Sequence, residues 1–163
     1  MRRLAVGFGL LVAAAAIAAT LLATVASGRS SAGTTIHLIE KSQAFHLVDN
    51  PPIGVESTGV FSLGDTFALK SALLTRSMKP AGTLFATCTV TSGGRNAIST
   101  CYGTFALKGG QLAGITTIRV NGRVTRIAIV GGTGAYEGVR GEVTSISRGQ
   151  NSPFSDDTIH LLP

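Results

Sequence analysis

Only eight carboxylates occur in this 163-residue chain, Glu40, Asp49, Glu56, Asp65, Glu137, Glu142, Asp156 and Asp157, so they are the first candidates for chemistry. Glu40 follows Ile36, Leu38 and Ile39, and in a strand it shares a face with Leu38. If that face lines an apolar interior, burial raises the Glu40 pKa and suits it to give or take a proton. If the face points outward, Glu40 and Lys41 only mark a strand end. Asp65 follows Gly64 at the mouth of a strand and is either a second acid–base group or a turn aspartate bonded to its own loop. Asp49, before Asn50-Pro51-Pro52, reads in the same two ways.

Other chemistries find less support. Serines are plentiful, but there is no G-x-S-x-G elbow and no cysteine–histidine pairing for nucleophilic catalysis. His37, His46, His160 and the two cysteines lack any metal-ligand spacing, so neither a metal nor a cofactor is expected. His37 and His160 fall in the first and last strands, which a closed barrel would bring near each other as hydrogen-bonded strand histidines.

The glycine-dense run Ile127–Val143, I-A-I-V-G-G-T-G-A-Y-E-G-V-R-G-E-V, superficially suggests a nucleotide loop. A dinucleotide fingerprint needs its third glycine in register and a helix to follow. Here that glycine arrives one residue late at Gly138, and Val139, Gly141 and Val143 alternate as in a strand. The run therefore reads as strand, tight corner, strand, with at least one of Gly131, Gly132 and Gly134 at positive φ and Tyr136 aimed at the end of the fold.

Valine, isoleucine, threonine and glycine dominate, and turn signals recur every eight to twelve residues or so, the pattern of an all-β sandwich or barrel. The expected strands are 34–41, 44–48, 65–75, 82–92, 97–107, 111–120, 123–131, 139–147 and 157–162. The connection from Asp49 to Gly64 is the one long irregular segment, a length that in a compact domain usually carries function, often as a lid. Asn121-Gly122 fits a two-residue type I′ turn pairing Val120 with Arg123, which places Ile118, Val120, Ile127 and Ile129 on one buried face. With Gly93-Gly94-Arg95-Asn96 as a four-residue loop, Ser92 pairs with Ala97, Val90 with Ser99 and Cys88 with Cys101. Two directly opposed cysteines in an exported protein are most simply a disulfide.

Export is read from the start of the chain. Arg2 and Arg3 precede an apolar run from Leu4 to Val25 and a small-residue exit, so residues 1–26 are expected to be a signal peptide and 27–33 a flexible linker. The rival is an uncleaved anchor, the only route by which this chain would meet a membrane. The remaining 137 residues suffice for one domain, and their 12 basic and 8 acidic residues leave a charge of +4. The basic residues are spread singly, without the clusters and interleaved aromatics of a nucleic-acid groove.

The corner G-G-T-G-A-Y-E-G-V-R-G-E-V, with Gly64-Asp65 and Cys88 upstream in the same order, resembles the allene oxide cyclase and dirigent family over about residues 34–163. The resemblance implies a small antiparallel β-barrel, usually trimeric, whose lumen holds an apolar or phenolic small molecule and steers its cyclisation or coupling. By this resemblance Glu40 corresponds to the cyclases' first-strand glutamate and Ser71 stands where they carry a water-holding asparagine. Asp49, Asp65 and Arg140 are the nearest counterparts of the dirigent pocket residues. Ser71 in place of asparagine and a partnered Cys88 are departures from the cyclase pattern.

The sequence thus leads to an all-β protein with a single closed antiparallel barrel of about eight strands over 34–163. Its candidate catalytic residues are Glu40 and Asp65, and its candidate binding residues are Asp49, Ser71, Tyr136 and Arg140. The alternative class is a non-enzymatic extracellular or envelope interaction module using the barrel's outer face.

Overall fold

The computed structural model describes residues 33–50, 59–149 and 151–162, so the expected signal segment and most of the linker lie outside the described residues. No helix occurs among the described residues. Eight strands follow one another as β1 (Thr34–Val48), β2 (Thr66–Leu74), β3 (Pro80–Ser92), β4 (Ile98–Leu107), β5 (Gly110–Arg119), β6 (Val124–Gly134), β7 (Arg140–Ser147) and β8 (Phe154–Leu162). Each pairs antiparallel with its sequence neighbour, and β1 pairs with β8 to close the barrel. Closure removes both sheet edges, the positions where unpaired backbone groups invite association.

The two segments expected at 34–41 and 44–48 are one strand. Its ladder to β2 runs through Ser42↔Ser71, then shifts to Ala44↔Lys70, a bulge that leaves Gln43 unmatched. The extra residue reverses the strand's phase. Leu38 and Glu40 point inward before it, and Leu47 packs with Phe67 and Cys88 after it.

One end of the barrel is packed solid. Leu38, Leu73, Leu84, Phe105, Leu112, Ile129, Val143, Ile159 and Leu161 form a buried cluster there, with Tyr136 and Val139 against it. Burying a side chain such as Phe105 contributes about 1.5–3 kcal/mol. The glycine corner closes this end. Gly134 has φ 62° and Gly138 φ 75°, while Gly132 lets the Tyr136 and Gln111 backbones approach closely. Ala135 N donates to the Gly109 carbonyl at 2.9 Å, stitching the corner to the β4–β5 turn.

The other end is opened by small residues. Across β3, β4 and β5, Leu84, Phe105 and Leu112 lie side by side and fill the interior. One layer above them lie Ala86, Gly103 and Gly114, which have almost no side chain to fill it. Cys88 and Cys101 come next, joined as a disulfide with Cα atoms 4.1 Å apart, in the pairing counted from the hairpin. The hairpin tip differs from expectation, because Ser92 pairs with Ile98 after an irregularity beyond Val90. Gly94 N donates to the Phe61 carbonyl at 2.7 Å, which ties the tip to the β1–β2 connection. Replacing both cysteines by alanine should cost about 3 kcal/mol, the value for closing a loop of this length. Chemical denaturation of the variant beside wild type checks it, and alkylation without reductant should label neither thiol of wild type.

The Asn121-Gly122 hairpin corrects the expectation. Neither residue has positive φ, so no type I′ turn forms; instead Gly122 N donates to the Arg119 carbonyl at 2.8 Å. The cause is tertiary. Val120 N donates to the Ala97 carbonyl at 3.0 Å, drawing the end of β5 toward the β3–β4 turn. The β5–β6 ladder accordingly stops at Ile115↔Ala128, and beyond it the Thr116 hydroxyl donates to the Arg126 carbonyl across the two strands.

Candidate functional site

The missing side chains at Ala86, Gly103 and Gly114 leave a cavity of about 210 Å³ inside the open half of the barrel. Its walls are Leu69, Leu84, Phe105, Ile118 and Ile127, with the disulfide toward the mouth and Thr116, Arg123, Thr125 and Ser147 on the side of β5, β6 and β7. Ile118 and Ile127 belong to the face expected to be buried, and that face is the lumen's. Among the described residues lining the cavity, Glu40 is the sole acid and Arg123 the sole base.

Glu40 reaches the lumen from β1, opposite Ser155 on β8. Burial raises its pKa, and a hydrogen bond donated by the Ser71 hydroxyl partly offsets that. Ser71 is itself buried, so it holds Glu40 from beneath rather than meeting a ligand. Of the residues expected at the site, these two come together.

Asp65 belongs to a different structure. It is fully shielded, and its carboxylate accepts hydrogen bonds from Asn50 N at 2.8 Å, Ser62 N at 2.7 Å and Ser62 Oγ at 2.8 Å. Burial alone would raise its pKa, but these bonds and one with the Asp49 side chain outweigh it and hold the carboxylate below its ordinary range. Asp65 and Asp49 therefore pin the ends of the β1–β2 connection at the open end of the barrel; residues 51–58 of that connection lie outside the described residues. Tyr136 sits at the packed end, its hydroxyl donating to the Lys108 carbonyl at 3.4 Å. Arg140 is exposed on the outer surface.

A buried group that sequence reasoning passed over lies beside Glu40, outside the cavity lining. Asp157 on β8 is 2% exposed and faces inward beside Glu40. Burial first, then the Glu40 charge, push its pKa up to about 7, against a hydrogen bond from Ser145. That bond is a loose one: neither carboxylate oxygen closes a hydrogen bond of good geometry. The available signal was parity, since Asp157 alternates in phase with Ile159 and Leu161. The histidines match expectation: His37 meets Thr158 and His160 meets Thr35, each at 3.3 Å on the outer surface.

Comparison with solved structures gives likenesses that span nearly the whole barrel. A pyocyanin demethylase superposes with TM-score 0.67 at 22% identity, covering 79% of this chain and 100% of that one. The pterocarpan synthase dirigent protein PsPTS1 superposes with TM-score 0.62 at 20% identity, covering 80% and 94%. AbnU, an exo-specific intermolecular Diels-Alderase, gives 0.59 at 12% identity, covering 79% and 98%. No protein-family model and no curated protein matches the chain. At these identities the likeness speaks for the fold, which is that of the dirigent and cyclase-like barrels. It extends across these barrels and does not single out the allene oxide cyclases.

Proposed function

We propose that the protein is exported, takes an apolar or phenolic small molecule into its lumen, and steers that molecule's cyclisation or coupling, with Glu40 as the acid–base group. The observation that carries this reading is a largely apolar cavity reached by a single carboxylate of raised pKa. Its size limits the ligand. About 210 Å³ exceeds the ~150 Å³ apolar cavity that accommodates benzene but falls below the ~300–1,000 Å³ of drug-sized sites, which points to one or two rings. Holding such a molecule in one folded conformer lowers a cyclisation barrier by removing the entropy of finding it. A carboxyl titrating nearer neutrality than usual can exchange a proton with the ligand at modest cost.

The named activities of the similar barrels, in dirigent coupling, demethylation of pyocyanin and Diels–Alder cycloaddition, support a lumen that acts on small organic molecules. The disulfide fits an oxidising compartment outside the cytoplasm. Asp65 and Asp49 act on the ligand only indirectly, by fixing the described ends of the β1–β2 connection.

A second reading, a non-enzymatic interaction module, draws on the outer face of β3, β4 and β6, where Phe85, Tyr102 and Val130 are exposed. A homotrimer, implied by the family resemblance, would also use an outer face, and sedimentation measures it.

The test is to incubate the purified protein with hydrophobic metabolite extracts and to identify the retained compounds by mass spectrometry. Ala86→Leu should fill the cavity and reduce retention about tenfold or more, at a stability cost of roughly 1–3 kcal/mol or less. Wild type that retains nothing, or an Ala86→Leu variant that retains as much, overturns the proposal. A protein partner whose binding survives Ala86→Leu favours the interaction module.

A further inference from the structure

Asp157 has no role in the lumen as described, because it does not line the cavity, yet its position is an unusual one. The β1–β8 register sets Glu40 opposite Ser155 and Leu38 opposite Asp157, so the two carboxyls are diagonal neighbours on the inner face. Such neighbours lie within reach of each other's side chains. Among the described residues, the groups around Asp157 offer no positive charge. From β7 comes the Ser145 hydroxyl, and from β1 comes Glu40 itself, which Ser71 of β2 supports. Lys41 turns outward over the Phe154 ring at 5.9 Å, and His37 meets Thr158 on the outer surface. Asp156 faces away, paired with Arg148 at 2.6 Å, and its charge adds a smaller upward push on Asp157, while Arg123 stands at the cavity mouth. Glu142 is exposed on the outside of β7. A buried carboxyl without a cation or a well-formed hydrogen bond keeps its proton.

We infer that Asp157 and Glu40 form a charge-coupled carboxyl pair, in which Asp157 holds a proton behind Glu40 and Glu40 alone presents negative charge to the lumen. The inference deepens the proposed function and rests on its assignment of Glu40 as the acid–base group. Asp157 is then a positioning residue. It does not touch the ligand, but while neutral it leaves Glu40 ionised and able to accept a proton. Once Asp157 ionises, its charge makes Glu40 a stronger base.

The experiment follows the side-chain carboxyl carbons by NMR in the full chain, labelled with 13C at aspartate and glutamate, across a pH titration without ligand. In wild type Asp157 should titrate near 7 and Glu40 below it. In Glu40→Gln the Asp157 midpoint should fall by about one pH unit, the size of a charge–charge coupling at a few ångströms under protein-like screening. In Asp157→Asn the upper step should vanish while the Glu40 step stays in place. An Asp157 midpoint in the ordinary carboxylate range, or one that Glu40→Gln does not move, overturns the pair, as does an upper step that survives in Asp157→Asn. Because the titration needs no ligand, a protein that shows the pair but retains no metabolite defeats the proposed function and leaves the pair standing.

Discussion

Gly132→Val is expected to melt well below wild type and to yield less soluble protein. A Cβ at position 132 would lie 2.7 Å from the Tyr136 Cβ and 2.8 Å from the Gln111 carbonyl oxygen, and closer still to the Tyr136 carbonyl oxygen. Two of these three are backbone atoms of the corner and of β5, so no side-chain rotation relieves the contact. Forcing extra atoms into such a site costs roughly 3 kcal/mol or more, on the order of 10 °C in Tm for a barrel of this size. Gly134→Val should cost as much by a mixed route. Its φ of 62° penalises any Cβ by about 1–2 kcal/mol, and that Cβ would also meet the Gly109 carbonyl oxygen. Gly131→Ala is the internal control, because nothing lies within 4 Å of its Cβ position. Melting curves of the three variants decide the matter. If the first two melt like wild type but lose ligand, the corner is a binding loop rather than a closure of the packed end.

Asp157→Asn is expected to stabilise the protein at neutral pH, the opposite of the usual result for a buried substitution. The Asp157 pKa is about 7 folded and near 3.8 unfolded, so the folded state holds the proton more tightly. Its contribution to stability is therefore full below pH 3.8 and is lost progressively as pH rises to about 7, beyond which it is constant. Three pH units correspond to at most about 4 kcal/mol. Asparagine has no proton to lose, so the variant should match wild type near pH 4 and exceed it above pH 7. Denaturant unfolding at both pH values measures the difference. A variant less stable than wild type at pH 8 would mean that Asp157 is held by bonds its anion needs.

Much of this was legible before the structure, and the rest was not for identifiable reasons. The strands could be read because valine and isoleucine alternate with threonine and serine between glycine turns, a local pattern that closure does not alter. Even the β1 bulge left a trace, as inward residues change from even positions at Leu38 and Glu40 to an odd one at Leu47. The cysteine pairing could be counted because only register was needed. The Asn121-Gly122 turn could not be, because the Val120–Ala97 hydrogen bond joins segments more than twenty positions apart and overrides the local preference. Glu40 could be placed on a face by alternation, while the depth of that face depended on which residues opposite it were small. Ala86, Gly103 and Gly114 lie in three different strands, and only the sheet brings them into a row. Asp157 was obscured by its neighbour, since an Asp-Asp step at the beginning of a strand looks like turn chemistry.

The barrel's topology also orders its assembly. Seven of its eight strand pairings join consecutive strands, and each can form as a local hairpin. The pairing of β1 with β8 alone must bring together residues as far apart as Thr34 and Leu161. The entropy of loop closure is thus concentrated in one late event. Glu40 and Asp157 lie on opposite sides of that seam, so the two acids become neighbours only when it zips. A meander still open is free of their mutual repulsion, and each carboxyl remains in water. If the two acids are coupled as proposed, the final seam forms against the burial of Asp157 and its repulsion from Glu40, a resistance that acid removes, so the last step of folding should run faster at low pH.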